Sequence, residues 1–250
     1  MKTHHAHHAS NQLHGSVFLP TLLGMLLAAL PVTGAPKPKE TIPFSDARIR
    51  IEVNSTDGDS GLHVNLDAEG WKFVNIFSPT GKLIFTVEGG GGVGKTGLTE
   101  VFFESAEPGF EDLPLDKFLE RFPEGNYRFT GKTITGKNLA SIANLSHAIP
   151  AGPVLISPAQ NSVQDVDLTE IRWEPVADPK GSRITRYEVL VVEDGPVPNR
   201  VLSAVLPASK TRMIVPPTFL KRNASYKCEV LAIERGGNQT LSENAFRTGP

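Results

Sequence analysis

The residues best placed to do chemistry lie in Asn54-Ser55-Thr56-Asp57-Gly58-Asp59-Ser60-Gly61, where side-chain oxygens alternate around a glycine. Hard cations such as Ca²⁺ collect about six to eight oxygen ligands in this way. Asn54, Asp57 and Asp59 are the candidate ligands, with Asp67 further along the chain. The twelfth-position Glu and flanking helices of an EF-hand are missing. Asn, Asp, Ser and Gly are also the ordinary residues of a tight turn. The segment therefore reads first as a hairpin turn, with Ca²⁺ as the alternative.

A second cluster is Glu100, Glu104, Glu107, Glu111 and Asp112 among Phe102, Phe103 and Phe110. Paired carboxylates beside aromatics are the tools of glycoside hydrolysis or sugar binding. The plainer assignment places the rings in a core and the acids on a solvated face. Gly89-Gly90-Gly91-Gly92-Val93-Gly94-Lys95-Thr96 fits the phosphate-cradling pattern G-x-x-x-x-G-K-T. A strand-like run precedes it, and Leu98, Val101 and Phe102 have the spacing to begin a helix. Pro108 stops that helix before an α/β unit can form, and four consecutive glycines make a chance match easy. A hairpin loop is the preferred reading.

Gly58-Asp59-Ser60-Gly61 echoes a serine-protease nucleophile segment, but the only histidines upstream of it are His4, His5, His7, His8 and His14. Those five precede an apolar leader and are lost if it is cleaved. His63 lies three residues from Ser60, so on an extended strand it points to the other face. Neither His63 nor His147 has a partner evident in the sequence. Cys228 alternates with Val230 and reads as a small buried hydrophobe. No credible catalytic set emerges, and the expectation is a protein that is not an enzyme.

The elements that would position these groups are mostly strands. Ile49, Ile51 and Val53 alternate, as do Leu62, Val64 and Leu66. Trp71, Phe73 and Ile76 lead to the turn Ser78-Pro79-Thr80-Gly81, and a strand follows at 83–87. Period-two alternation bounded by Gly, Pro and Asn is the strand signature. One helix is expected, with Leu115, Phe118, Leu119 and Phe122 on one face and Pro123 and Gly125 at its end. Strands resume at 127–130 and 139–145. Ile149-Pro150-Ala151-Gly152-Pro153 reads as a linker. Beyond it, candidate strands fall at 170–173, 186–192, 200–206, 211–215, 226–233 and 241–247.

Before all of this stands different material. Lys2 is the only charged residue among the first 35, and 17–30 form an apolar run of 14 residues with Pro20 inside it. That is shorter than the roughly 18 residues of a membrane-spanning helix. Small residues follow, and cleavage is expected after Gly34 or Ala35, the pattern of a secretory signal. An uncleaved anchor is the alternative. The expected location is secreted or periplasmic, with no membrane attachment once the signal is removed. A single cysteine permits no internal disulfide. The chain has 250 residues and a net charge of −2, which argues against a nucleic-acid partner. Sequons occur at Asn54, Asn144, Asn223 and Asn238 and matter only in a eukaryotic secretory pathway. The leader and the low cysteine content look bacterial.

Around Leu220-Lys221-Arg222-Asn223-Ala224-Ser225-Tyr226 the second half resembles a fibronectin type III domain. The Leu and Tyr keep the family's spacing, and Cys228, Val230 and Ala232 supply the inward alternation. Arg222 and Ala224 depart from the usual Pro and Thr, and Asn223 stands where Gly is common. Trp173 matches the family's buried tryptophan and Tyr187 its third strand. The resemblance covers roughly 153–248 and implies a binding or spacing module with no shared active site. The first half is only loosely similar to immunoglobulin-like modules, with Tyr127 in the role of Tyr226.

The resulting expectation is an all-β protein of two tandem β-sandwich domains. It comprises a signal peptide (1–35), a linker (36–46), an immunoglobulin-like domain with a short helix (47–148), a linker (149–153) and a fibronectin type III-like domain (154–250). The expected function is an exported, non-catalytic binding or spacing module with a protein or glycan partner. Alternatives are a Ca²⁺-dependent adhesion or carbohydrate-binding protein using the 54–61 loop, and an enzyme of glycosidase or nucleotide-hydrolase type. No cofactor is expected apart from that possible Ca²⁺.

Overall fold

The computed structural model describes residues 40–250. The signal peptide, its histidines and the first part of the 36–46 linker lie outside them. The described residues form one compact unit with two large hydrophobic cores.

The first half runs β1 (Thr41–Ile42), β2 (Asp46–Asn54), β3 (Asp59–Phe77), β4 (Leu83–Glu88), α1 (Gly91–Thr96), β5 (Leu98–Glu104), α2 (Leu115–Arg121), β6 (Gly125–Thr133) and β7 (Asn138–Leu145). The tight turn 55–58 joins β2 to β3, closed by the Gly58 N–H donating to the Asn54 carbonyl at 2.9 Å. Gly58 sits at φ +70°, a left-handed conformation that glycine adopts without a Cβ penalty.

The 19-residue β3 is the strand on which the first half's sheet is built. Its first part pairs with β2 on one side and β5 on the other. Its second part pairs with β4 and β6, and β6 continues to β7 and β1. The sequence suggested two separate stretches here. A register shift between Trp71 and Phe73 alters the alternation, so Val74 rather than Phe73 enters the core with Trp71 and Ile76. The helix α2 forms where its apolar spacing requires and buries Phe118.

The second half runs β8 (Leu155–Ser157), β9 (Ser162–Gln164), β10 (Glu170–Trp173), β11 (Ile184–Glu193), β12 (Asn199–Pro207), β13 (Arg212–Ile214), a 3₁₀ turn (Pro217–Phe219), β14 (Ser225–Glu234) and β15 (Gln239–Thr248). A three-stranded sheet, β13-β10-β8, faces a four-stranded one, β12-β11-β14-β15. Ile171, Trp173 and Val215 from the first layer meet Tyr187, Val189, Tyr226, Cys228 and Phe246 from the second in one core. Trp173 and Tyr187 contact edge to face at 5.2 Å between ring centroids. The Tyr226 hydroxyl accepts the Lys221 N–H at 2.7 Å, and Asn223 adopts φ +56° in the loop this bond closes. Strand order, buried Trp and corner Tyr together give the fibronectin type III fold that the sequence resembled.

The halves share a ladder. Parallel pairing of β15 with β2 matches Gln239 with Glu52, Thr240 with Val53 and Leu241 with Asn54. The order β2-β15-β14-β11-β12 is thus one continuous sheet.

Candidate functional site

The structure scatters most of the residues singled out by sequence. Asn54 Oδ1 accepts the backbone N–H groups of Thr56 and Asp57 at 2.9 and 3.1 Å, and its amide donates to Asp57 Oδ2 at 3.0 Å. Those two side chains close the turn on itself. Asp59, the third candidate Ca²⁺ ligand, opens β3. Its carboxyl is shifted upward by loss of water and by the nearby charges of Asp57 and Glu104.

The glycine-rich segment forms α1, six residues long with none buried. The Thr96 hydroxyl donates to the Gly92 carbonyl, and the chain then enters β5, not the helix that Leu98, Val101 and Phe102 suggested. Pairing of β5 with β3 overrides the helical spacing. Ser60 is fully buried, and His63 lies on the opposite side of the strand. Cys228 is buried, its thiol directed at the Asn244 carbonyl at 3.5 Å and pushed up to about 12 by burial. His147 Nε2 lies 2.9 Å from the Phe122 carbonyl oxygen.

Two arrangements remain that the sequence did not reveal. The first is the junction. Asn238, 2% exposed, accepts the Ile51 N–H at 2.9 Å and donates to the Ser146 carbonyl at 2.8 Å. The Thr240 hydroxyl donates to the Pro150 carbonyl at 2.7 Å, and both the Ser55 N–H and hydroxyl donate to the Leu241 carbonyl. Gln239 donates to the Glu52 carboxylate. Gly152 lies so close to Ser55 and Ser242 that a Cβ there would clash with both hydroxyls. The 149–153 segment is therefore held between the 55–58 turn and β15. The Asn238 sequon serves structure, since its amide is buried and fully engaged.

The second arrangement lies on the outward face of the continuous sheet. Register places Arg50 of β2 and Glu104 of β5 on either side of His63, and Glu52 opposite Gly61. Residues directly opposite on neighbouring strands bring their side chains together. Phe102 meets the imidazole edge to face at 5.6 Å. His63 is 5% exposed although it faces away from the core. Its Nδ1 lies 3.8 Å from Glu52 Oε2 and 3.5 Å from Arg50 Nη2; its Nε2 lies 3.6 Å from Glu104 Oε1.

Glu107 joins them from the loop after β5. That loop is pinned to β3 by Ser105 N–H to Leu62 O at 2.9 Å and Phe110 N–H to Gly58 O at 2.7 Å. Its side chain lies over Gly61, where an added Cβ would come within 2.9 Å of Oε1. Loss of water and the adjacent Glu104 push the Glu107 carboxyl up to about 8. Burial shifts Glu52 upward, and burial with the Arg50 charge shifts His63 downward. A cavity of about 270 Å³ opens beside these groups and extends over Glu188, Leu190, Glu229 and Leu231 of the second half. Of this set, the sequence had pointed to Glu104 and Glu107 as acids and to His63 without a partner. The hairpin pairing of Asn54 with Asp59 would have placed Arg50 opposite His63, but nothing local brings β5 alongside.

No protein-family model matches the sequence, and no curated protein matches it. Solved structures similar to the chain include a two-domain fibronectin type III segment of chicken tenascin, at 14% identity over 82% of this chain and 98% of that one, with a TM-score of 0.29. Another is the FN1–FN3 segment of chicken CNTN1, at 12% identity, 84% and 68% coverage and a TM-score of 0.33. A third is a tetra-tandem repeat from the extending region of a large adhesion protein, at 11% identity, 80% and 48% coverage and a TM-score of 0.27.

Proposed function

We propose that this chain is an exported, non-catalytic protein whose two sandwich domains, 47–148 and 154–250, act as one rigid spacer presenting loops and strand edges to a protein or glycan partner. The junction carries the reading. A flexible tether needs no side chain dedicated to the join, whereas here Asn238, Gln239 and Thr240 are all buried and bonded across it. The far edge of the sheet is β12, nine residues long and paired only with β11, with Val205 62% exposed. An open edge of this kind can accept an added strand. Export to a secreted or periplasmic location rests on the leader, and among the described residues no helix is long and apolar enough to cross a membrane.

The catalytic alternatives have less support. A glycosidase needs one protonated and one ionised carboxyl flanking a sugar, and here Glu104 lies against the His63 imidazole while Glu107 lies over Gly61. A Ca²⁺-dependent protein using Asn54, Asp57 and Asp59 would require Asn54 to release both backbone N–H groups.

The test is a distance measurement between spin labels at Lys82 and Lys210, both exposed. A rigid spacer gives one narrow distribution, broadened by Asn238→Ala. A broad distribution in the parent chain would sink the spacer reading. Turnover of a substrate that depends on a single side chain would overturn its non-catalytic part.

A further inference from the structure

His63 poses a problem that the spacer reading leaves unanswered. Its imidazole is 5% exposed, and its Nε2 is sealed from solvent with no hydrogen-bond partner. Glu104 Oε1, at 3.6 Å, is beyond hydrogen-bond distance. A buried nitrogen left unpaired is costly, and this one, unlike the unpaired indole nitrogens of Trp71 and Trp173 in the cores, faces a carboxylate, which calls for an occupant. Glu52, Glu104 and Glu107 surround this ring, and among the described residues Arg50 is the cation in contact with it.

One carboxylate oxygen from each of Glu52 and Glu107 and one ring nitrogen of His63 lie within 4.8 Å of one another. Bonds of about 2.0–2.1 Å to a tetrahedral ion would bring such atoms to roughly 3.3 Å apart. Glu107 is the exposed member of the three and can rotate to close the difference. Gly61 beneath it provides the room, since its missing Cβ leaves the space that the Glu107 carboxylate occupies.

We propose that Glu52, His63 and Glu107 form a binding site for a divalent transition-metal ion of the zinc class, with Glu104 as the neighbouring carboxylate. The imidazole sets the class. Ca²⁺ and Mg²⁺ prefer oxygen throughout, whereas a mixed nitrogen and carboxylate set suits zinc. Such an ion would lie where β2, β3 and the loop after β5 converge. Through Glu52, which accepts from Gln239, it would also brace the ladder joining the two halves.

The test uses the full chain with His4, His5, His7, His8 and His14 replaced by asparagine, so that the leader cannot compete. Zn²⁺ and Ca²⁺ are titrated separately by calorimetry. One Zn²⁺ per chain is expected, with no Ca²⁺ heat that these residues control. Glu107→Gln and Gly61→Ala should each weaken Zn²⁺ binding at least about tenfold. His63→Gln should abolish it. The first two alter an exposed side chain and the space beneath it, so metal-free unfolding midpoints near that of the parent are expected and keep the result interpretable should His63→Gln misfold. Absence of Zn²⁺ binding, or binding unchanged in Glu107→Gln and Gly61→Ala, would overturn the site. Equal competition by Ca²⁺ would overturn the zinc class. None of these results bears on the spin-label distances, so the two readings fail separately.

Discussion

The two halves solve one packing problem with the same parts and differ where the parts meet water. Each buries a tryptophan completely or nearly so, Trp71 in the first and Trp173 in the second. Each closes a loop with a tyrosine, but the hydroxyls work in opposite senses. Tyr127 donates to the Pro123 carbonyl at 3.0 Å, and Tyr226 accepts the Lys221 N–H at 2.7 Å. On the outward face of the shared sheet, the second half sets a small apolar strip of Leu190, Leu231, Ile233 and Leu241. The first half sets the His63 cluster on that face. An apolar strip is covered at little cost, whereas a buried imidazole among carboxylates requires charge to be balanced. The second half, 154–250, contains no histidine, so this grouping of an imidazole with carboxylates belongs to the first half.

The comparison can be broken most forcefully through the cores. Trp71→Ala and Trp173→Ala should each cost about 3–5 kcal/mol in chemical denaturation. If the ladder makes the halves one cooperative unit, calorimetry will show a single transition lowered by either change. Two transitions, each moved by only one variant, would mean that the halves unfold independently. Asn238→Ala should come next, at about 2–4 kcal/mol, because it leaves the Ile51 N–H and the Ser146 carbonyl without partners inside the junction. A loss below about 0.5 kcal/mol in a denaturant titration would show that the junction contributes no stability.

The corner tyrosines sharpen the contrast. Tyr226→Phe strands a backbone N–H and should cost about 1–1.5 kcal/mol. Tyr127→Phe strands a carbonyl, which is more easily satisfied otherwise, and should cost about 0.5–1 kcal/mol. Equal losses by urea titration would remove the distinction.

The smallest effect at ordinary pH comes from ionisation. Burial pushes the Cys228 thiol from 9.0 to about 12 and the Tyr127 hydroxyl from 10.0 to about 12. The unfolded chain sheds these protons first as pH rises. Their contribution is therefore intact below about pH 9 and is lost as pH climbs toward 12. In Glu107→Gln, which removes the carboxyl that burial raises to about 8, unfolding midpoints should hold steady from pH 7 to pH 9 and fall above it, whereas the parent chain should already lose stability up to about pH 8; alkylation of Cys228 near pH 8 should wait for unfolding.

Much of the fold was legible because it is written locally. The alternation at Ile49, Ile51 and Val53 and the 3.6-residue spacing of Leu115, Phe118 and Leu119 each became the element expected. Leu98, Val101 and Phe102 misled because three apolar residues fit a helix and a strand equally well over so short a span. Ladder bonds to β3 decided between them. The His63 cluster was legible only in fragments. Glu107 stood out as an acid and His63 as an isolated histidine, while Glu52 drew no notice as one exposed-looking position in an alternating strand.

The sequence by itself determined most of the longer strands, the single helix that packs on the first core, the corner loop before Tyr226 and the burial of Cys228. Each depends on periodicity or on turn chemistry within a few residues. Tertiary structure alone decided that β15 would lie parallel to β2 and that β5 would lie against β3. It also decided that Glu107 would fold over Gly61. Pairing between segments tens to nearly two hundred residues apart depends on which sheet edges remain open after the local hairpins have formed. No local pattern encodes that choice.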